Sequence, residues 1–302
     1  VGALRLMLDE IRAEPGKVTR WIAFAVWVVM PFTLGPLLAE ALDPTREIFQ
    51  TAISWVLWVW WLEVLLTLTF PRPFMLTIIR LGVPAAIPAA VWAAIEVDDN
   101  TLVIVGVLAA IIATALVLSS PFADRFIDGA SYGDERRFTL RPPGPVLIGL
   151  LGPSWVVAIG GLVAGPLFLA DERWVLGAIL IVIGWPLAFL AARALHQLGD
   201  RFMVFVPNGL VVHDLTVMRE PVLFQSREIV GLAPAHADTT AEDMTSAALG
   251  LALELKLIAP ATVPAVTGRT GTEDRDVRAI LIAPSRPAAV MRLAQERNFR
   301  IV

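Results

Sequence analysis

The sequence contains no cysteine. That excludes disulfide staples, thiolate metal sites and cysteine nucleophiles, and it removes any sign of the redox compartment. Lysine is nearly absent, Lys17 and Lys256 being the only two. Arginine therefore carries the basic charge, and this bias, with abundant alanine, points to a GC-rich bacterial genome of the actinobacterial kind. A net charge of −4 over 302 residues leaves no basic excess to hold nucleic acid. Glycine-rich nucleotide loops are missing. The three histidines, His196, His213 and His236, lack metal-ligand spacing, so no metal and no cofactor are expected. Tryptophan is absent from the last hundred residues, all ten lying at or before position 185.

What the chain has in excess is apolar surface. Hydrophobic residues make up 57% of it, against about 45–50% in a soluble globular domain. Six runs, 21–42, 48–70, 74–95, 101–119, 145–170 and 174–195, each approach the roughly 20 apolar residues needed to cross a hydrocarbon core. The first is too long for a signal-peptide core, and no small-residue cleavage site follows it. Backbone groups in lipid must be satisfied within the segment, which dictates helices rather than open sheets. Pro31, Pro36, Pro84, Pro88, Pro153, Pro166 and Pro186 interrupt the runs and are expected to kink them.

Basic residues set the expected topology. With a cytoplasmic N-terminus, the inner segments hold Arg5, Arg12, Lys17, Arg20, Arg72, Arg80, Arg125, Arg136, Arg137, Arg141 and Arg193, and the outer loops only Arg46 and Arg173. Both termini are thus expected on the cytoplasmic side of a multi-pass protein of the bacterial cell (inner) membrane. Leu4, Met7, Leu8 and Ile11 form one apolar stripe, so residues 1–20 read as an amphipathic helix, either on the inner membrane surface or packed on a soluble domain. The spans then occupy 21–197. The inner loop 122–144 reads as a solvated, topology-setting connection, or as one whose basic end meets anionic lipid headgroups.

From about residue 198 the pattern changes to period two. Strands are expected at 201–206, 210–213, 221–225, 228–232, 251–258 and 277–283, with Asn208-Gly209 marking a hairpin turn. Residues 233–250 and 259–276 read as loops, the first with a short helix begun by Thr240. Ser285 and Pro287 open a final amphipathic helix over 286–298. This is a small α+β domain over 198–302. The first hairpin, 201–213, the segment 220–231 and the final strand–helix, 278–299, together resemble the bacterial PH-like domain. Membrane proteins of that family place the domain directly after transmembrane helices. The resemblance implies an antiparallel sheet closed by the C-terminal helix, and a binding or assembly module rather than an enzyme. It carries over no site residue. Residues 201–302 hold eleven basic and eleven acidic side chains, so a polyanion-binding basic cluster is not visible.

Three groups stand out as candidate sites. Glu63 and Arg80 each lie about seven residues from the turn at 71–73, which puts both roughly 10 Å inside the membrane boundary. An intramembrane ion pair is expected of them, either as a proton or ion relay or as a staple between spans. Trp55, Trp58, Trp60 and Trp61 form a cluster suited to lipid or partner contact, or to packing. Gly161 and Gly165, beside Gly160, make a small-residue face for close helix packing, within the chain or in a homo-oligomer. The expected function is non-enzymatic: a scaffold or accessory subunit that recruits or joins a protein complex, with membrane lipids and other membrane or cytoplasmic proteins as partners. The alternatives are a small-solute or lipid transporter using the spans, and an envelope-lipid enzyme.

Overall fold

A computed structural model describes residues 14–268 and 271–301. Six of its helices are long and apolar enough to cross a membrane. They are span 1 (Pro15–Leu42), span 2 (Glu47–Thr69), span 3 (Pro73–Glu96), span 4 (Asn100–Leu118), span 5 (Leu151–Ala170) and span 6 (Trp174–Gly199). Large apolar side chains such as Phe32, Ile95 and Val182 stay exposed on them, as a hydrocarbon solvent allows. The N-terminal amphipathic helix expected over 1–20 falls mostly outside the described residues. From Pro15 the chain is already in span 1, with proline at the first helical position, where its missing N–H costs nothing. Span 4 begins on a true cap: Asp99 Oδ1 accepts from the backbone N–H groups of Thr101 (2.7 Å) and Leu102 (3.3 Å). Pro31 breaks span 1 at Val29, and Pro84 sits in a 3₁₀ turn, Val83–Ala85, that breaks span 3. Span 5 starts at Leu151 rather than 145, because a separate short helix, Gly144–Gly149, precedes it.

The chain divides into two compact units. The helical unit is Val1–Phe126 with Pro153–His196, and the second unit is Ile127–Gly152 with Gln197–Val302. The globular domain therefore does not begin at 198. The connection between spans 4 and 5, expected to be a solvated loop, supplies its first strand, β1 (Arg136–Thr139). That strand pairs antiparallel with β2 (Phe202–Val206), from Arg136 opposite Phe205 to Thr139 opposite Phe202. Spans 5 and 6 are thus an insertion between the first two strands of one sheet. The sheet continues through β3 (Gly209–His213) to β4 (Val222–Gln225), in the order β1-β2-β3-β4. The β2–β3 turn consists of Pro207 and Asn208, and Gly209 already pairs with Val206. A Cβ at Gly209 would collide with the Phe224 carbonyl, so only glycine lets β3 and β4 approach there.

A second sheet contains β5 (Ile229–Pro234), β6 (Glu242–Asp243), β7 (Leu253–Thr267) and β8 (Gly271–Ile282), ordered β5-β7-β8-β6. Two expectations are corrected here. Residues 259–276 are not a loop: β7 and β8 stay paired out to Thr267 opposite Gly271, past an irregularity between Lys256 and Ala261 that straddles Pro260. Proline removes a ladder donor but is accommodated at such a bulge, and Val263 and Ala265 beyond it are buried. Thr240 starts no helix; the chain instead makes the two-residue strand β6, parallel to β8. The core is built from alternate residues of both sheets, including Met203, Phe205, Leu210, Val212, Phe224, Leu253, Leu255 and Ile280, closed by Val290 and Ala294 of the terminal helix Pro287–Glu296. Ser285 does not cap that helix. Its hydroxyl meets Thr139 Oγ1 at 2.7 Å and its N–H donates to the Thr139 carbonyl, tying β1 into the domain.

One ion pair lies wholly inside this domain. Arg201 Nε donates to Asp214 Oδ1 (2.8 Å) and its Nη2 to Oδ2 (2.5 Å), while Nη1 reaches the Arg141 carbonyl (2.8 Å). Asp214 also accepts from the N–H and hydroxyl of Thr216. Arg201 is 2% exposed and Asp214 0%. Removing one charge from such a pair leaves the other uncompensated. Asp214→Asn is expected to destabilise the domain by roughly 3–5 kcal/mol, measured as faster hydrogen exchange in β2 and β3, whereas the double apolar replacement Arg201→Met with Asp214→Leu loses much less.

Candidate functional site

The tryptophans do two different things. Trp55 and Trp58 are exposed, at 69% and 55%. Trp60 and Trp61 face span 1. Trp61 Nε1 donates to the Trp27 carbonyl at 2.9 Å, and Trp27 Nε1 donates to the Trp61 carbonyl at 2.9 Å. Pro31 removes the N–H that a helical carbonyl at position 27 would normally accept. That carbonyl still accepts a backbone N–H at the C-cap of its helix, and the indole of Trp61 adds a side-chain donor from span 2. Trp60 stacks edge-on against Trp27, ring centres 5.4 Å apart, and Trp58 against Trp61 at 5.6 Å. Spans 1 and 2 leave an apolar groove of about 350 Å³ between them, lined by Trp58, Trp60 and Trp61 with Met30, Leu34 and Leu57 among others. Trp55 takes no part in it.

The same device recurs in the last two spans. Pro166 deprives the Leu162 carbonyl of its donor, and Trp185 Nε1 replaces it at 3.2 Å. At the break in span 3, the Leu81 carbonyl accepts Trp155 Nε1 at 3.1 Å. Gly161 and Gly165 lie at the contact between spans 5 and 6 within one chain: a Cβ on Gly161 would lie 2.6 Å from the Gly184 carbonyl, and one on Gly165 2.5 Å from Ile181. Gly160, by contrast, faces open space.

Glu63 and Arg80 are not brought together as an ion pair. Glu63 is exposed on span 2. Equal depth on a hairpin does not fix helix rotation, and Val64, its neighbour, is the residue that turns inward. The carboxylate acting on Arg80 is instead Asp124, 6% exposed on the helix Ser120–Asp128 that follows span 4. This helix packs closely on span 1, since a Cβ on Gly16 would lie 2.5 Å from the Pro121 carbonyl and 3.0 Å from Arg125 Cβ. Arg125 and Arg20 act on each other as like charges. Arg20, 9% exposed, donates from Nη1 to the Thr69 carbonyl at 3.2 Å and lies over the Trp21 ring at 4.6 Å. Arg20 thus stands near Arg125, and Arg80 near Asp124, along the helix after span 4. The Nε–H groups of all three arginines are buried without a hydrogen-bond partner among the described residues. Beside them, Thr77 Oγ1 and His196 Nδ1 are 2.7 Å apart and join spans 3 and 6.

In the globular domain, Val211 and Leu223 face each other across β3 and β4 on the side of the sheet away from the core, and Leu223 is 46% exposed on the edge strand β4. Arg275 of β8 binds Glu242 at 2.5 Å and Glu273 at 3.2 Å; these hydrogen bonds, Glu242 first, hold its pKa above the usual guanidinium value. No group of His, Asp and Glu among the described residues gathers as a metal site. The sequence pointed to Arg80 but not to its partners, because Asp124 and Arg125 fell in a connection read as solvated. No family model, curated protein or solved structure matches the chain.

Trp61→Phe removes one of the two donors to the Trp27 carbonyl and is expected to cost about 0.5–1.5 kcal/mol, the net worth of one hydrogen bond. The readout is a lowered unfolding temperature of the full chain in neutral-lipid nanodiscs, with Trp55→Phe leaving that temperature unchanged.

Proposed function

We propose that this chain is a non-enzymatic assembly protein of a bacterial cell membrane, whose PH-like domain recruits or joins a protein complex on the cytoplasmic side. The observation that carries the proposal is the interrupted domain. Its first strand is made before span 5 and the remainder after span 6. The chain therefore joins the domain to the helices through three covalent connections.

The PH-like reading is supported by strand order. Apart from the two-residue β6, the domain has four consecutive strands in one sheet, three in the other and a closing C-terminal helix. Its balance of eleven basic and eleven acidic side chains from 201 to 302 favours a protein partner read by shape and apolar contact over a polyanion. The exposed edge strand β4, with Leu223, offers backbone groups and an apolar side chain together, the combination that strand addition uses. The cytoplasmic placement rests on the excess of arginine in the segments on that side. A second reading, lipid binding by the spans, is favoured by the tryptophan-lined groove between spans 1 and 2, whose apolar lining suits an acyl chain.

The proposal predicts that the full chain, expressed at native level and extracted mildly, carries a protein partner at fixed ratio. Leu223→Asp is expected to lose that partner while still inserting and folding. A chain recovered alone, with neither a fixed-ratio partner nor self-association, contradicts it.

A further inference from the structure

The apolar run that begins at Pro145 is longer than a crossing needs. Span 5 uses Leu151–Ala170, and the surplus forms the separate helix Gly144–Gly149. This helix belongs to the globular unit, yet Leu147, Ile148 and the following Leu150 are 42%, 78% and 59% exposed. A loop far away in sequence joins them. Leu249 and Leu251, also in the globular unit, are 54% and 49% exposed. We infer that residues 246–251 form a membrane-dipping loop of the globular domain, which with the helix Gly144–Gly149 sinks these leucines and Ile148 into the lipid interface beside the start of span 5.

The first ground is how the loop is held. Ser246 and Ala247 both have left-handed backbone, at φ 53° and 56°, which is uncommon for residues other than glycine and persists only where the surroundings enforce it. The surroundings here are the segment before span 5. The Gly144 N–H donates to the Ala247 carbonyl at 3.2 Å. Arg141 Nη1 donates to the carbonyls of Leu249 (3.2 Å) and Leu251 (3.1 Å). Gly250, at φ 99°, leaves room for that guanidinium, with which a Cβ would collide. The Arg141 carbonyl in turn accepts from the buried Arg201. A Cβ on Gly144 would lie 2.5 Å from the Ala247 carbonyl and 3.5 Å from Leu249 Cγ. Leu147 and Ile148 stand one turn on from Gly144, on the same face of the helix. The exposed side chains of loop and helix therefore make one patch.

The second ground is what surrounds the patch. Contiguous exposed apolar surface marks a site of protein or membrane contact. Residues 142–170 and 244–253 contain no charged side chain. Gly144 lies seven residues before Leu151, no more than roughly 10 Å at helical rise. An apolar face at a membrane interface is buried by about 5–10 Å, so lipid is the apolar phase within reach. The inference rests on span 5 crossing a membrane, and it is independent of the assembly proposal.

The test uses the full chain, which has no cysteine of its own. Leu249→Cys, Val156→Cys and Asn208→Cys variants are each labelled with an environment-sensitive fluorophore. They are reconstituted in phosphatidylcholine nanodiscs with or without lipids carrying a nitroxide at a shallow acyl position. Val156 is 60% exposed on span 5, and Asn208 is exposed at the β2–β3 turn. The probe at 249 is expected to emit at shorter wavelength than the probe at 208. It is also expected to lose intensity in nitroxide lipid as the probe at 156 does, while the probe at 208 keeps its intensity. A probe at 249 that reads water overturns the inference. So does one shielded from aqueous iodide but untouched by the nitroxide, since a protein surface then covers the patch. Quenching at neither 249 nor 156 overturns it together with the reading of span 5 as a crossing.

Discussion

A helical carbonyl that loses its donor inside hydrocarbon has no water to turn to, and the spans of this chain lose donors repeatedly to proline. Indole N–H groups of neighbouring helices donate to carbonyls at such sites. Pro166 frees Leu162, and Trp185 answers from span 6; Trp61, from span 2, adds a side-chain donor to the Trp27 carbonyl, which also keeps a backbone one. Each of these indole donors comes from a different span, so each bond also links two helices. Trp155, reaching the Leu81 carbonyl, likewise joins the fifth span to the third, although no proline removes a donor from that carbonyl. The tryptophans that do this are long, rigid and apolar except for one N–H, which is why they can bridge helices without bringing a second unsatisfied group into the apolar interior.

Glycine acts in the complementary sense. Where Gly161, Gly165 and Gly184 face the opposite helix, backbones approach closely enough that any Cβ would collide. Spans 5 and 6 are held as a hairpin by this contact together with the Trp185 bond. The hairpin in turn has a consequence for the globular domain. It is inserted between β1 and β2, so if both of its helices cross a membrane, the pairing of β1 with β2 requires residues 127–152 and 197–302 to lie on one side.

Much of this was readable from residue patterns, for reasons that differ along the chain. The spans are legible because each approaches or exceeds 20 apolar residues and nothing else buries such a run. Strands β2, β3 and β7 are legible because Met203, Phe205, Leu210, Val212, Leu253 and Leu255 alternate with outward positions. Strand β1 was hidden: Arg136, Arg137, Phe138 and Thr139 are too few and too charged to show period two, and their partner is 63 to 69 residues away in sequence. The distal part of β7 and β8 was masked by Pro260, Pro264 and Gly271, which look like loop punctuation but sit in paired strands. At the charged site, counting residues from a turn located Arg80 at the right depth and could not give the rotation of span 2, so Glu63 was paired where Asp124 stands.

The absence of native cysteine makes the central claim directly measurable, because any introduced thiol is the sole reporter. The measurement is labelling of single-cysteine variants in sealed vesicles with a membrane-impermeant maleimide, at Tyr132→Cys and Asp238→Cys in the two segments of the globular domain, and at Asp98→Cys and Glu172→Cys in the loops between spans. The account predicts that positions 132 and 238 label from one side and positions 98 and 172 from the other. Labelling of 132 and 238 from opposite sides would contradict a domain built across an inserted membrane hairpin.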